Sequence, residues 1–386
     1  MSEKTKGHSQ KLIDTLQQIV NLCGPRPAGS RSEDKLKQFI SEQLLTQQYS
    51  ILRHQVGFSP FPALLSEQFI QASLLIILTL SAFRFPIIGL LIPFIITLAP
   101  RLLLQIIRGL PGKLSTENII ALNQSSDLTD VKLLLVAHMD TANAHPIEGK
   151  FIKFTLRSFF YSSYLISLLS LTNIMEFQLP EIFRLILLTY PLIHAVVIII
   201  YQLLVTSPQK TRYSPGANDN ASGVAVLLEL AKDDDIKRMP VGFLFTSAEE
   251  EGLFGAAFFI KQFPRSARHP VIINVDSVGA GDELGLVSSY GRLWSIHTSK
   301  QLNYIIRSVD PSLSDIRHFH RAGDYLPFCE AGFNTVSLEA ALQGGTPPEY
   351  HTTEDKAEHI NPEILTRAYK TLLDSIFQLK ERSFEV

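Results

Sequence analysis

The sequence predicts an α/β fold: a mixed, mostly parallel sheet flanked by helices and interrupted by two inserted transmembrane helical hairpins. Three observations lead there. Short apolar runs of strand length alternate with helix-length segments, and the default solution to that alternation is a mostly parallel sheet covered by helices. Several of these runs end in acidic or histidine residues, at His138-Met-Asp140, Ala248-Glu249-Glu250-Glu251 and Asp276; open α/β sheets place their sites at the carboxyl ends of strands. Two long blocks of Leu, Ile and Phe then break the pattern.

The 386 residues suffice for one large domain or two smaller ones. A net charge of -2 gives no basis for a nucleic-acid partner, and Cys23 and Cys329 lie too far apart in sequence to suggest a disulfide framework or a paired-cysteine metal site. Mean hydropathy is positive, because apolar residues are concentrated in blocks.

The polar opening, MSEKTKGHSQK, lacks the apolar core of a signal peptide. Leu12–Leu22 and Ser32–Tyr49 read as amphipathic helices around the turn-rich Gly24–Ser30, and Ile51–Val56 as a strand. From Phe69 to Ile107 the charges are Arg84 and Arg101 alone, and the run divides near Arg84–Pro86. A second block covers Phe159–Met175 and Phe183–Val205 around a Glu176–Glu181 break. Arms of ~17–25 residues match a bilayer core, and these are apolar all round, unlike amphipathic helices. Membrane hairpins are therefore expected at 66–108 and 151–205, with the Phe69–Phe83 arm the weakest; buried or re-entrant helices are the alternative. The remaining domain comprises 1–65, 109–150 and 206–386.

Its further strands are expected at Glu117–Asn123, Lys132–Ala137, Val241–Ser247, Val271–Val275 and Thr335–Glu339. Helices are expected at Val224–Ala231 and at Asn361–Leu379, where Asn361 can cap and Pro362 suits the first turn. The link from Gln124 to Val131 is too short for a parallel crossover, so the strands on either side should run antiparallel. Both hairpins then emerge on the sheet edge that carries the polar residues.

The stretch from Tyr213 to Ala231 organises that edge. Pro215, Gly216, Asn218, Asp219, Asn220 and Gly223 form a loop that runs into an apolar helix, so Asp219 sits on a rigid turn. Alone, Asp219 reads as an Asx-turn or cap, a strand-end histidine as a structural hydrogen-bonding residue, and three glutamates as a solvated helix start. Together with His351 in Pro348–Asp355 they supply two imidazoles and at least three carboxylates. Such sets suit zinc, and two ions ~3.5–4 Å apart need about this many ligands plus a bridging carboxylate.

The ordered blocks HMD, GANDNASGVAVLLELA, SAEEEGL, NVDSVG and YHTTED resemble the bimetallic zinc aminopeptidase family, which includes bacterial leucyl aminopeptidases and, more distantly, glutamate carboxypeptidase. Gly24–Ser30 is similar to that family's N-terminal stretch. The likeness covers about 10–65, 115–145 and 210–380 and leaves out both apolar blocks.

The resemblance implies a zinc-exopeptidase fold with two Zn2+ ions: His138 and Asp276 would hold one, Glu250 and His351 the other, and Asp219 would bridge them. Glu249 would be the general base. Asp140 would orient His138, with Asp355 also behind the ligands and Glu251 on the surface. Asp324, in Ala-Gly-Asp-Tyr-Leu-Pro-Phe, falls where the family often has a Ser-Asp-His triplet; Tyr325 replaces that histidine, which puts a substrate contact there in doubt.

The resemblance and the apolar blocks together imply a membrane-anchored metallopeptidase, most simply an aminopeptidase, whose water is activated between two metals while Glu249 carries its proton to the leaving amine. Its partners would be a peptide substrate and the lipid bilayer. The alternatives are a single-zinc acyltransferase like the glutaminyl cyclases and a non-catalytic membrane receptor or scaffold on the same fold. The expected exit of the hairpins beside the metals favours substrates at or near the bilayer. Basic residues at the catalytic ends of the arms (Arg101, Arg108, Lys113, Lys150, Lys153, Arg157, Lys210 and Arg212), against Arg84 and Arg184 with Glu176 and Glu181 at the far ends, lead to the expectation that the catalytic domain of a multi-pass protein lies in the cytoplasm. The sequence does not specify which peptide terminus is trimmed, the side-chain preference, the native metal or the oligomeric state.

Overall fold

In chain order the computed structural model contains α1 (Glu3–Cys23), α2 (Arg31–Thr46), β1 (Tyr49–Phe58), α3 (Glu67–Arg84), α4 (Pro86–Arg108), β2 (Leu114–Asn123), β3 (Leu133–His138), α5 (Gly149–Ile174) and α6 (Glu181–Val205). It continues with α7 (Gly223–Leu230), β4 (Val241–Thr246), α8 (Phe254–Gln262), β5 (Val271–Asp276), β6 (Glu283–Tyr290) and β7 (Ile296–His297). The last elements are α9 (Lys300–Val309), β8 (Ser314–His318), α10 (Tyr325–Glu330), β9 (Thr335–Ala341) and α11 (Pro362–Glu381). The residues described are 3–59, 67–108, 112–123, 127–144, 149–177, 179–205, 212–263, 269–291, 295–318, 321–342 and 346–386.

Two compact units result: residues 1–59, 111–144 and 213–386 form one, and residues 60–110 and 145–212 the other. The first is the α/β unit, with strand order β1-β2-β4-β3-β5-β9-β6-β7 and β8 alongside β6. Strands β4, β3, β5 and β9 are parallel neighbours. They are buried along their whole length, as continuous runs such as Val-Gly-Phe-Leu-Phe-Thr require when helices cover both faces. The main core joins inward residues of these strands to α1, α2, α7 and α11. A second cluster on the other face centres on Phe259, Phe263, Phe328 and Phe333.

Helix α2 stops at Thr46, three residues short of the expectation, because Gln48 takes a left-handed conformation (φ 67°) and Tyr49 already pairs with Asn123. Helix α11 starts as expected, with the Asn361 side chain accepting from the amides of Glu363 and Ile364.

The short link between β2 and β3 does not make a hairpin. The two strands run in opposite directions, as expected, but β4 lies between them, antiparallel to β2 and parallel to β3. β6, the polar β8 and the two-residue β7 escaped the sequence reading; in β6 the apolar run Leu284–Val287 gives way to Ser288 and Ser289.

The chain leaves and re-enters this unit twice, both times at the carboxyl edge of the parallel strands. At the first exit Gly112 crosses Phe58, where a Cβ on residue 112 would overlap the Phe58 nitrogen. At the second, Asn143 and Tyr213 form an antiparallel bridge and the Ser214 amide donates to the Ala142 carbonyl over 3.0 Å.

In the second unit α3 packs on α4 and α6, and α5 on α4 and α6, so the two insertions build one four-helix body. Its interior joins aliphatic side chains (Leu75, Ile92, Ile96, Ile166 and Ile198) to small and polar ones, among them Ala72, Ala82, Ala195, Gln71, Thr79 and Ser163. Ile77, Leu80, Leu91, Phe94, Leu168 and Ile193 point outward, all more than 40% exposed. A Cβ on Gly89 would overlap Ser170 Oγ, which shows how closely α4 and α5 approach. Among the described residues one helix, at Glu181–Tyr201, is long and apolar enough to cross a membrane; Ile70–Ala82 and Pro86–Ile96 are shorter apolar stretches.

Candidate metal centre

Five side chains widely separated in sequence meet at the carboxyl edge of the sheet. His138 ends β3, Asp276 ends β5, Glu250 follows β4, Asp219 lies in the turn before α7, and His351 comes from the loop after β9. His138 Nε2 lies 3.0 Å from Asp219 Oδ1 and 3.7 Å from Asp276 Oδ1. His351 Nε2 lies 3.4 Å from Asp219 Oδ2 and 3.1 Å from Glu250 Oε2. The Asp219 carboxylate thus turns one oxygen to each histidine and divides the cluster into two halves. His138, Asp219 and Glu250 offer ligand atoms within 4.8 Å of one another.

The turn that presents Asp219 is held by its neighbours. Gly216 has φ 63°, and a Cβ there would overlap Thr141 Cγ2, so only glycine fits. The Asp219–Asn220 peptide is cis. The Asn218 and Asp219 amides donate to the two carboxylate oxygens of Asp355, at 2.7 and 3.0 Å. The Asn220 amide group donates to the Val275 carbonyl at 2.9 Å, while its Oδ1 accepts from the Ser277 amide at 3.2 Å, tying this turn to the Asp276 loop.

Asp140 meets His138 through its backbone. His138 Nδ1 donates to the backbone carbonyl of Asp140 at 3.1 Å, and the Asp140 carboxylate is farther off at 3.8 Å. That carboxylate accepts from the amides of Glu249 and Glu250, at 3.2 and 3.1 Å. One residue therefore fixes the tautomer of His138 with its backbone and the Glu249-Glu250 turn with its side chain; orientation from behind is what a ligating imidazole needs.

The electrostatics are those of a crowded anionic pocket. Burial pushes the Glu249 carboxyl well above the ordinary range; His138 opposes this, and Glu250, Asp324 and Asp276 add to it. Burial also raises Glu250, against the pull of His351. Burial alone would lower His351, but Glu250 and Asp219 outweigh it and push the imidazole up to about 10. Asp219 is held below the carboxylate range because His138 and His351 overcome its burial.

Asp324 and Tyr325 resolve the substituted triplet. Asp324 is buried, accepts from Thr246 Oγ1, and is pushed by burial up to about 7. Tyr325 packs inside a cluster with Leu253, Val287, Ile316 and Leu326, so its ring lines the core.

Sequence reasoning missed two arginines. Arg26, in the Gly24–Ser30 turn, is wholly buried. It donates to the carbonyls of Met139 (2.7 Å), Pro215 (2.8 Å) and Gly216 (2.7 Å), clamping the His138 and Asp219 loops together. Its flanking prolines signalled a turn, but nothing in the sequence signalled burial. Arg321 pairs with Glu339 and stands 3.8 Å from Asp276 Oδ2.

The donor set fits a divalent cation. Four carboxylates (Asp219, Glu249, Glu250 and Asp276) gather around two imidazoles, Arg26 is committed to carbonyls, and Glu250 Oε1 is buried with no hydrogen-bond partner among the described residues. Buried anions of this density need pairing or metal coordination.

Comparison with known proteins agrees with this chemistry. The model of Peptidase family M28 matches residues 204–376. Aminopeptidase YwaD of Bacillus subtilis is 31% identical over 184 residues, which is 43% of this chain and 38% of that protein. The chain spans less than half the length of the first curated relatives it matches. Among solved structures, a leucine aminopeptidase precursor from Bacteroides thetaiotaomicron superposes with a TM-score of 0.57 at 15% identity, covering 96% of each chain. A glutaminyl cyclase from the same organism also gives 0.57, at 14% identity, with 96% of this chain and 97% of that one covered. At such identities both show the fold alone.

Proposed function

We propose that this chain, a member of Peptidase family M28 through residues 204–376, is a membrane-embedded peptidase with two zinc ions that hydrolyses peptide bonds, most simply as an aminopeptidase. The observation that carries the reading is the division of the cluster by Asp219, with His138 and Asp276 on one oxygen and His351 and Glu250 on the other. That arrangement supports two metal positions and favours hydrolysis over the single-metal cyclase reading.

His138 and Asp276 would hold one ion, Glu250 and His351 the second, and Asp219 both. When bound, the ions supply an acidified water and polarise the scissile carbonyl. Glu249 is buried beside the ligands without being needed as one, and burial raises its proton affinity. A carboxylate so placed takes a proton from the attacking water and delivers it to the departing amine nitrogen. The Asp140 carboxylate holds the backbone of Glu249 in place during both transfers.

Metal removal tests this reading. Treating the purified protein with a chelator should abolish cleavage of aminoacyl-nitroanilides, and two equivalents of Zn2+ per chain should restore it. Far-ultraviolet circular dichroism should change little, because the strands and turns that carry these residues are held by their own backbone and core contacts. Restoration at one equivalent would favour the cyclase-like alternative, and no chelator-sensitive activity would favour a receptor or scaffold.

The second unit supports membrane insertion. Its surface carries many exposed Ile, Leu and Phe side chains, while its interior admits polar residues such as Gln71, Thr79 and Ser163 among the aliphatic ones, as helices packed in lipid do. Soluble monomers rarely expose apolar patches beyond a few hundred Å2. We place both hairpins in the bilayer and the α/β unit in the cytoplasm. Alkaline carbonate should then leave the protein in the membrane pellet, and proteases should attack the α/β unit of sealed vesicles only from the cytoplasmic face. Release into the supernatant would remove the membrane assignment.

A further inference from the structure

We infer that Arg321 is a specificity-determining residue of this site, and that it selects peptides with a carboxylate side chain beside the scissile bond. The inference rests on the metallopeptidase reading above and adds the substrate class.

The loop carrying Arg321 lies against the cluster. Gly323 approaches so closely that a Cβ there would stand 3.4 Å from Asp276 Oδ2. Arg321 Nη2 donates to Glu339 Oε2 and lies 3.8 Å from that same Asp276 oxygen. Glu339 is itself immobilised, since it also meets His318 Nε2 at 2.7 Å and accepts from Ser337 Oγ at 3.0 Å. On the other side the guanidinium sits 5.2 Å from the centre of the Tyr350 ring, which stacks on His351 at 3.7 Å. Arg321 therefore stands beside Asp276 on one side and over Tyr350, the neighbour of His351, on the other.

One end of this guanidinium is unused. Nη1 is buried and has no hydrogen-bond partner among the described residues, although the side chain is only 11% exposed. Leaving a buried charged donor unmade is costly, so an arginine retained only to neutralise Glu339 would be expected to spend both ends. The nitrogen beside Asp276 is Nη2, so this fixed positive charge stands next to the place a substrate held at the metals would take, and such a cation prefers a carboxylate to an amide while opposing an ammonium group.

The test uses the full-length, zinc-loaded protein in detergent and a matched peptide series with Glu, Gln, Leu or Lys on either side of the cleaved bond. On one side the wild type should prefer Glu to Gln by about tenfold or more in kcat/KM, as a charge-assisted hydrogen bond implies. Lys should be the poorest. In Arg321→Met the Glu-to-Gln ratio should fall to about one, chiefly through a higher KM for the Glu peptide. Arg321→Lys, which keeps the charge beside Glu339, should retain part of the ratio and covers the case in which the methionine variant fails to fold.

Equal cleavage of Glu and Gln peptides by the wild type overturns the inference and leaves the peptidase reading intact. An unchanged ratio in Arg321→Met, with all substrates slowed alike, overturns it too and assigns Arg321 to holding Asp276. If no peptide of the series is cleaved in a chelator-sensitive way, the peptidase reading itself fails.

Discussion

Replacing Glu249 by glutamine will leave two zinc ions per chain and remove most turnover. Glutamine keeps the volume and the backbone contacts that Asp140 makes with residues 249 and 250, so the turn presenting the candidate ligand Glu250 stays in place. What it loses is the capacity to accept and return a proton. Positioned general acid–base groups contribute about 10²–10⁴-fold, so kcat should fall by about that factor with KM little changed. Metal analysis and steady-state kinetics on the same preparation check both halves. Full activity in the variant would remove Glu249 from the mechanism.

Asp219→Ala will lose the metals as well as the activity. Its two oxygens face opposite histidines, so one substitution strips a ligand from both halves of the cluster at once. The surrounding turn keeps the Asp355 contacts made to backbone amides. The fold should therefore survive while zinc content drops well below two per chain, a contrast that metal analysis and circular dichroism together display. A variant that held two zinc ions would show that Asp219 does not bridge them. On the proposed reading the two substitutions would separate the site's functions, Glu249→Gln acting on proton transfer and Asp219→Ala on metal retention.

Much of this site is legible because its chemistry sits at predictable places in the fold. Runs such as Leu133–His138 and Val271–Asp276 are apolar until their last residue, so the polar terminus stands out against the strand. The loop Gly216–Ser222 is marked by its small and amide residues. Burial of the strands on both faces forces their ends, and whatever polar groups they carry, to one rim.

Other parts had no such signal. Arg26 and Arg321 are single cations in polar loops, where a sequence shows only a solvated charge; their burial depends on carbonyls and carboxylates brought from distant segments. Ala248, Ser277 and His351 adopt left-handed backbone at φ 56°, 54° and 54° beside or at the candidate ligands. None is glycine, so nothing local announces a conformation that the surrounding packing imposes.

By itself the sequence determined the α/β class, the apolar insertions, the turn before α7 and the identity of the residues that end each strand. These come from periodicity and composition, which act over a few residues at a time. The tertiary structure decided that β4 separates β2 from β3, that both insertions join in one four-helix body, and that the Asp140 carbonyl rather than its carboxylate meets His138. It also set the Arg321 guanidinium between Glu339 and Asp276. Each of these depends on which distant surfaces exclude water from one another, and that is settled only when the whole chain has packed.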